Sequence, residues 1–458
     1  MDMPALTLPL VRAFRPPPAA PPLQDPVEVA RRYRSLRIQL LAATFGGYAL
    51  FYLCRKNLPI AMPALGRELG YTNLQLGLLG TLLYVTYGVG KFVNGILGDH
   101  VNPRLFMALG LGLSALASLA FGFAGSLWAL AALWALNGWF QSMGFPPCAR
   151  ILAHWFSVSE RGFTWSLWNI SHQVGAGAIA LLAGALISRF GWRSAFTVPG
   201  AICLAGAVAV WFTLRDTPAS EGLPPIGRFR SDPELEEDGR ELSDEPETVR
   251  QILFGRVLNN PHVWLISVFN LFVYAVRSGT FDWAAKFLVE HKGSTIGSAG
   301  VLSATFELAG VAGAMLAGVL SDRLGRGRRA PVCGAWMLLS AAGIALFWWV
   351  PKGHPVADGA CLALIGFAVY GPQFLLAVFV TDLASPKAAA TAIGLTGVFG
   401  YAGSALSGVG TGYCVDHFGW GGAFAFWGAM ALVGTLLALP LWNVRARRPG
   451  DLPAASPL

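Results

Sequence analysis

Twelve apolar stretches, each about twenty residues long, occupy most of the 458-residue chain and leave little sequence between them. A helix rises about 1.5 Å per residue, so about 20 apolar residues cross about 30 Å of hydrocarbon. The chain is 54% hydrophobic and only 13% charged, whereas soluble domains contain about 25% charged residues. The pattern predicts an all-α membrane protein with twelve transmembrane helices. It argues against a soluble enzyme, a nucleic-acid-binding protein and a disordered chain.

The predicted spans fall into two groups of six, separated by a polar stretch with nine acidic residues between Asp232 and Glu247. We place them at residues 37–62, 74–98, 104–124, 127–150, 161–188, 194–214, 262–287, 297–320, 331–350, 358–383, 388–414 and 423–443. The organisation that follows is an N-terminal tail, a first bundle, a linker, a second bundle and a C-terminal tail, at 1–36, 37–214, 215–258, 259–443 and 444–458.

The distribution of Lys and Arg predicts the orientation, because cytoplasmic loops carry an excess of them. One side of the predicted topology holds 23 of these residues and the other holds 6. Both termini are therefore expected in the cytoplasm. The N-terminal tail is rich in proline and has no continuous apolar core, so we expect no cleaved signal peptide. The six cysteines lie singly in apolar segments, so we interpret them as packing residues and expect neither disulfides nor a metal site.

The two groups of spans repeat each other. GILGDHVNPR (95–104) follows the second span and GVLSDRLGRG (318–327) follows the eighth, and RFGWRSAF (189–196) has its counterpart in HFGWGGAF (417–424). The spacing between the first pair of segments is nearly equal to that between the second pair. The Gly-x-x-x-Asp-Arg pattern resembles the loop signature of the major facilitator superfamily. That resemblance implies two six-helix bundles related by a pseudo-twofold axis along the membrane normal.

The repeated loops also place acids beside bases at the predicted cytoplasmic ends. Asp99 lies near Arg104, and Asp322 lies near Arg323 and Arg326. Such pairs could form in one transport state and break in another, which makes these five residues candidates for gating. The alternative is a solvent-exposed pair worth less than about 1 kcal/mol.

Two arginines, Arg55 and Arg277, lie deep within apolar spans. An ionisable residue is costly there and is therefore expected to have a functional role. The spacing from Arg55 to Arg277 matches that of the repeat, so the two are near symmetry mates. Guanidinium groups bind phosphate and carboxylate oxygens in a bidentate manner that an ammonium cannot reproduce. We therefore predict an anion site that uses both arginines. The alternative is that each arginine reaches the membrane surface or pairs with Glu307 on the eighth span.

The fifth span adds a third candidate. His172 follows Asn169 by one helical turn, which places two polar groups on one stripe. A histidine that takes up a proton as an anion arrives would strengthen anion binding. The alternative is a packed, hydrogen-bonded core histidine.

Seven segments are similar to the organophosphate:inorganic phosphate antiporter family: YALFYLCRKN, YGVGKFVNGILGD, NGWFQSMGFPPCAR, WNISHQVG, VYAVRSGTFDW, DTPASEGLPP and VYGPQ. The resemblance implies that Arg55 and Arg277 bind the phosphoryl group, that His172 assists, and that Lys91 lies near the cavity. Further polar residues that it places in the cavity lining are Tyr48, Tyr52, Asn169, Tyr274, Tyr370 and Tyr401. Phe145 stands where the glycerol-3-phosphate member has tryptophan, so the organic part of the substrate stays open.

The resemblance implies exchange of external organic phosphate, of the glycerol 3-phosphate or hexose 6-phosphate class, for internal inorganic phosphate by alternating access. The alternative within the family is a sensor of external hexose phosphate that signals to a membrane histidine kinase. Proton-driven efflux of lipophilic cations is a third class, but two arginines would repel that cargo. The chain has no GxxxxGK[ST] loop, and we expect no cofactor, no metal and no nucleic-acid partner. We expect a monomer in the inner (plasma) membrane.

Overall fold

The computed structural model describes residues 14–230, 254, 257–323, 328–384 and 388–444, and helices dominate these parts of the chain. Fifteen α-helices and one short 3₁₀ turn (Pro218–Glu221) are assigned within them. The α-helices are α1 (Pro26–Leu53), α2 (Asn57–Leu69), α3 (Asn73–His100), α4 (Pro103–Phe123), α5 (Leu127–Gln141), α6 (Phe145–Trp155), α7 (Val158–Asn169), α8 (Ser171–Phe190), α9 (Ser194–Thr213), α10 (Ile226–Arg230), α11 (Pro261–Glu290), α12 (Ile296–Arg323), α13 (Ala330–Trp349), α14 (Pro355–Leu383) and α15 (Ala389–Leu437).

Ten helical stretches in the described residues are long and apolar enough to cross a membrane. The predicted fourth span is outside these ten because it forms two shorter helices, α5 and α6, and Pro146 and Pro147 lie in the first turn of α6. The last stretch, Thr391–Leu437, covers most of the eleventh and twelfth predicted spans. Gly419 interrupts it with φ 67° and ψ −172°, a left-handed φ that favours glycine. The predicted all-α membrane architecture is confirmed.

The first helix begins earlier than the sequence predicted, at Pro26 rather than at residue 37. Asp25 caps it, since its carboxylate accepts a hydrogen bond from the Val27 N–H at 2.9 Å. A proline in the first turn costs nothing because its missing N–H has no helical partner there. The basic segment before the apolar stretch is therefore part of α1.

The start of the predicted linker is folded against the first bundle. Asp216 is buried and accepts two hydrogen bonds from Arg150, at 2.8 and 3.0 Å, and Trp155 donates its indole N–H to the Asp216 carbonyl. The pairing is bidentate, the geometry that makes guanidinium–carboxylate contacts strong. Residues 215–230 therefore belong structurally to the first bundle, while most of the predicted acidic linker lies outside the described residues.

The chain divides into two compact units. The first comprises Met1–Tyr71, Leu78–Pro246 and Thr295–Ala304, and the second comprises Thr72–Gly77, Glu247–Ser294 and Thr305–Leu458. In the first unit, α1 packs against α8 and α9, and α4 packs against α9. In the second unit, α11 packs against α14 and α15. Each unit has its own helical core, and each contains one of the two arginines.

All six cysteines lie in described parts of the chain and are free. Cys54, Cys148, Cys203, Cys333 and Cys361 are buried, and Cys414 is half-buried. They occupy apolar packing positions, as the sequence predicted.

Candidate functional site

Arg55 lies at a break between α1 and α2, and Pro59 explains the break. A proline has no N–H to donate, so the Arg55 carbonyl loses its helical partner four residues on. Two nearby carbonyls are satisfied by side chains from α5. Asn137 donates to the Cys54 carbonyl at 2.7 Å, and Gln141 donates to the Phe51 carbonyl at 2.8 Å. Satisfied backbone groups let the chain break within an apolar layer, and the break holds Arg55 in a fixed place.

The Arg55 side chain is packed between aromatic rings, and the residue is only 6% exposed. Its guanidinium carbon lies 4.0 Å from the centre of the Tyr87 ring and 5.2 Å from that of Tyr52. Aromatic faces stabilise a cation and leave the edge of the guanidinium plane available for hydrogen bonding. The sequence analysis did not single out Tyr87. It lies three residues after Tyr84 and four before Lys91, which is a helix-face spacing that could have indicated it.

The other candidates of the first unit form one connected cluster near Arg55. The Tyr52 ring lies 5.7 Å from the rings of Tyr48 and His172. His172 Nδ1 donates to the backbone carbonyl of Asn169, because a carbonyl can only accept. This bond uses the backbone of Asn169 rather than its side chain, and it leaves Nε2 as the ring nitrogen that can take up a proton.

Lys91 joins this cluster through the Phe145 ring. Its ammonium nitrogen lies 5.2 Å from the ring centre, and the Phe145 ring lies 5.8 Å from that of Trp168. Trp168 in turn lies 4.8 Å from Tyr48. The phenylalanine that departs from the glycerol-3-phosphate pattern is thus a ring contact of Lys91, within the cluster that the sequence predicted.

Arg277 lies within α11 in the second unit and is 8% exposed. Its Nε and one terminal nitrogen donate to the Tyr370 hydroxyl at 3.0 and 2.8 Å. Tyr370 donates that hydroxyl's proton to Glu307, which is completely buried. The Glu307 carboxylate lies 4.0 Å from Arg277. The predicted anion site therefore already contains a carboxylate on this side, which is the alternative that the sequence left open.

Two further predicted residues complete the second cluster. The Tyr274 ring centre lies 5.9 Å from the Arg277 guanidinium carbon and 5.8 Å from the Tyr401 ring. The second unit thus brings together Arg277, Tyr274, Tyr370 and Tyr401. Both clusters offer a buried guanidinium among phenol groups, an arrangement suited to an oxyanion with several acceptor oxygens.

The repeat explains why the two arginines have different neighbours. The spacing that relates Asp99 to Asp322 also relates Tyr84 to Glu307 and Tyr87 to Gly310. A side chain at Gly310 would lie closer than 3.0 Å to the Tyr370 ring. Gly310 therefore leaves room for a ring from α14, whereas the ring against Arg55 comes from α3.

The observed partner of Asp322 differs from the predicted one. Asp322 pairs with Arg329 at 3.2 Å, not with Arg323, and Arg329 also binds Asp382. Arg329 is the better placed partner because it begins the next helix, α13, beside the end of α12. Arg326 lies outside the described residues.

In the first repeat, Arg104 donates to the carbonyl of Trp211 and lies over its indole ring, 4.7 Å from the centre. The Asp99 side chain is outside the described set, so its predicted pairing with Arg104 stays a prediction.

Comparisons with known proteins give matches that extend over most of the chain. The model of the Major Facilitator Superfamily matches residues 44–408. A probable hexose phosphate transport protein of Chlamydia pneumoniae is 39% identical, over 94% of this chain and 96% of its own length. The glycerol-3-phosphate transporter of Bacillus subtilis is 38% identical, over 96% and 99%. The membrane sensor protein UhpC of Escherichia coli is 37% identical, over 96% and 99%.

Among solved structures, an inward-facing bacterial homologue of the human lysosomal transporter Spinster has the same fold. It aligns with a TM-score of 0.71 at 17% identity, over 89% of this chain and 95% of its own. The protein is thus a multi-pass integral membrane transporter rather than an enzyme. The extent of these matches, together with the duplicated helical units, places the chain in the Major Facilitator Superfamily.

Proposed function

We propose that this transporter exchanges external organic phosphate for internal inorganic phosphate, with Arg55 and Arg277 as the phosphoryl-binding residues. The observation that supports the proposal is the hydrogen bonding of Arg277. Its guanidinium donates to the Tyr370 hydroxyl, and the Glu307 carboxylate lies 4.0 Å from it. A phosphate oxygen carries a negative charge and is therefore a stronger acceptor for these donors than the neutral hydroxyl.

Electrostatics explains why release is possible as well as binding. A buried arginine with no anion nearby would bind phosphate too tightly to release it, because few water molecules screen the attraction. Glu307 offers Arg277 an alternative negative partner when phosphate leaves. In the first unit, the rings of Tyr52 and Tyr87 lie against Arg55. His172 can add a positive charge when the ligand is bound.

The organic moiety is expected to belong to the hexose phosphate or glycerol 3-phosphate class, since the relatives bear these names. The contacts described for Arg277 come from Tyr370 and Glu307 and suit a phosphoryl oxygen rather than a particular sugar. The proposal extends to a monomer in the inner (plasma) membrane with both termini in the cytoplasm. Arg31, Arg32, Arg34 and Arg37 near the start of α1 support that orientation.

Growth on a phosphate ester tests transport. Cells that lack other organophosphate carriers are expected to grow on glycerol 3-phosphate or glucose 6-phosphate when they express this chain. The Arg277→Ala variant should abolish growth, while Arg193→Ala should not. Arg193 is the matched control because its side chain is 45% exposed and pairs with Glu68 at the surface.

The same cells distinguish a transporter from a sensor, the second function found among the relatives. Membrane insertion is measured for each variant by surface labelling. If the wild-type chain is inserted and binds glucose 6-phosphate but never moves it into the cell, sensing replaces transport.

Gly310 provides a test of the geometry around Arg277. We expect Gly310→Ala to lower exchange of labelled phosphate in proteoliposomes at least tenfold, because the added methyl group forces the Tyr370 ring away from Arg277. Gly394→Ala is the control, since a methyl group there meets no atom within 4 Å. Equal exchange by both variants would show that the Tyr370 contact is dispensable.

A further inference from the structure

The start of α3 packs closely on one stripe of α15. The stripe is formed by Gly408, Gly412 and Asp416, which lie at intervals of four residues on one helix face. A side chain at Gly412 would lie closer than 3.0 Å to the Asn73 carbonyl, and one at Gly77 would be equally close to the Gly408 carbonyl. Thr72–Gly77 and α15 belong to the same compact unit, and their backbones touch because neither glycine has a side chain.

Asp416 binds the first turn of α3 directly. One carboxylate oxygen accepts from the Asn73 backbone N–H at 3.1 Å and from its side-chain amide at 2.7 Å. The other oxygen accepts from the Leu74 N–H at 2.8 Å. The first N–H groups of a helix have no partner within the helix, and the helix dipole attracts an anion there. The carboxylate therefore supplies both missing acceptors and a favourable charge.

The local sequence of α3 supplies only part of its own cap. Thr72 Oγ1 accepts from the Gln75 N–H at 3.2 Å, and Gln75 accepts from the Thr72 N–H at 3.0 Å. This reciprocal pair is a capping box. It leaves the N–H groups of Asn73 and Leu74 to Asp416, so the cap of α3 is completed by a residue from a distant part of the chain.

The corresponding stripe in the first half of the chain packs in the same close way but has no carboxylate. The spacing that relates Gly191 to Gly419 relates the stripe on α15 to Ala180, Gly184 and Ser188 on α8. In the first unit this second stripe meets the start of α12, where a side chain at Gly300 would lie closer than 3.0 Å to the Ala180 carbonyl. Ser188 donates its hydroxyl to the Gly184 carbonyl of its own helix at 2.8 Å. The two packings are alike in their small residues and differ in the carboxylate.

We infer that Asp416 is a gating residue of the transport cycle: its carboxylate is a releasable cap that stabilises the conformation in which the start of α3 lies on α15. The inference rests on the proposed alternating transport, in which such a contact forms and breaks once per cycle. Because Ser188 supplies no charge, the α3–α15 contact is the more strongly held of the two. Removing the charge shifts the equilibrium toward conformations in which this contact is open.

A distance measurement tests the cap without relying on transport. Spin labels are placed at Leu74→Cys, which contributes only its backbone N–H to the cap, and at His417→Cys, both at exposed positions, in a full-length chain whose six native cysteines are replaced. Asp416→Asn removes the charge and turns one acceptor oxygen into an amide N–H₂, so it should raise the ratio of the long-distance to the short-distance population about fivefold, the factor that about 1 kcal/mol of a lost charge–dipole interaction produces. Ser188→Ala, the matched control, should leave this distribution unchanged.

A gain-of-charge variant tests the same idea at the second stripe. Ser188→Asp would place a carboxylate facing the start of α12, and labels at Arg189→Cys and Thr295→Cys should report a larger short-distance population there. Asp416→Glu keeps the charge and should retain most of the short-distance population at the first stripe, which separates loss of the cap from misfolding.

The outcomes separate this inference from the proposed function. If Asp416→Asn leaves the distance distribution unchanged in a chain that exchanges phosphate, the gating role is wrong and the exchange proposal stands. If the distribution shifts as expected but the wild-type chain moves no phosphate, the cap is real and the exchange proposal fails.

Discussion

Replacing either Arg55 or Arg277 by lysine is expected to lower phosphate exchange at least tenfold in proteoliposomes. Lysine keeps the positive charge but loses the planar fork, which forms two parallel hydrogen bonds to phosphate oxygens. At Arg277 it also cannot reproduce the pair of donors that hold the Tyr370 hydroxyl at 3.0 and 2.8 Å. A tenfold effect corresponds to about 1.4 kcal/mol, which is modest for a charge-assisted bidentate contact.

The arginine-to-lysine comparison needs a control for general damage. Arg193→Lys serves, since that arginine is half-exposed and binds Glu68 at the surface, where ion pairs contribute little. The measurement is counterflow of labelled phosphate, normalised to the amount of protein inserted in the vesicles. Near-normal exchange by both Arg55→Lys and Arg277→Lys would disprove the two-arginine site.

The sequence predicted the helices and the arginines for the same physical reason. In hydrocarbon, an unpaired backbone polar group and a charged side chain both cost free energy. Long apolar stretches are therefore predicted to be helices, and an arginine within them is predicted to be functional. The arginines were identified without any knowledge of their neighbours. The break at Pro59 was not predicted, since residues 37–62 were placed in one continuous span, and the side chains that satisfy it, Asn137 and Gln141, come from another helix.

The contacts between distant helices could not be predicted in this way. Tyr370 reaches Arg277 from α14 because Gly310 on α12 leaves space for its ring. That relation depends on how three helices pack, and no spacing in the sequence encodes it. Arg329, rather than the nearer Arg323, pairs with Asp322 for a similar reason, since Arg329 comes from the start of another helix, α13. The sequence analysis did not identify Asp416, because nothing in the local sequence distinguishes it from an ordinary solvent-exposed acid.

Uptake of organic phosphate should fall at least tenfold when the vesicles contain no inorganic phosphate. A site that recognises the phosphoryl group accepts both inorganic phosphate and its esters. When the vesicles contain no phosphate, the transporter must reorient with its site empty and its two arginines buried. Glu307 balances the charge of Arg277 at 4.0 Å, and aromatic rings lie against Arg55. This arrangement stabilises the buried arginines less well than bound phosphate does, so the empty transporter is expected to reorient slowly when no phosphate is inside.

The measurement compares vesicles loaded with phosphate and vesicles loaded with sulfate at equal ionic strength, each supplied with labelled glycerol 3-phosphate or glucose 6-phosphate. Phosphate-loaded vesicles should also exchange label with external phosphate when no proton gradient is present, because homoexchange leaves the net charge and proton balance unchanged. Equal ester uptake by both kinds of vesicle would replace exchange by symport. In that case His172, whose Nε2 can take up a proton while Nδ1 stays bonded to the Asn169 carbonyl, would be the first residue to test as the coupling site.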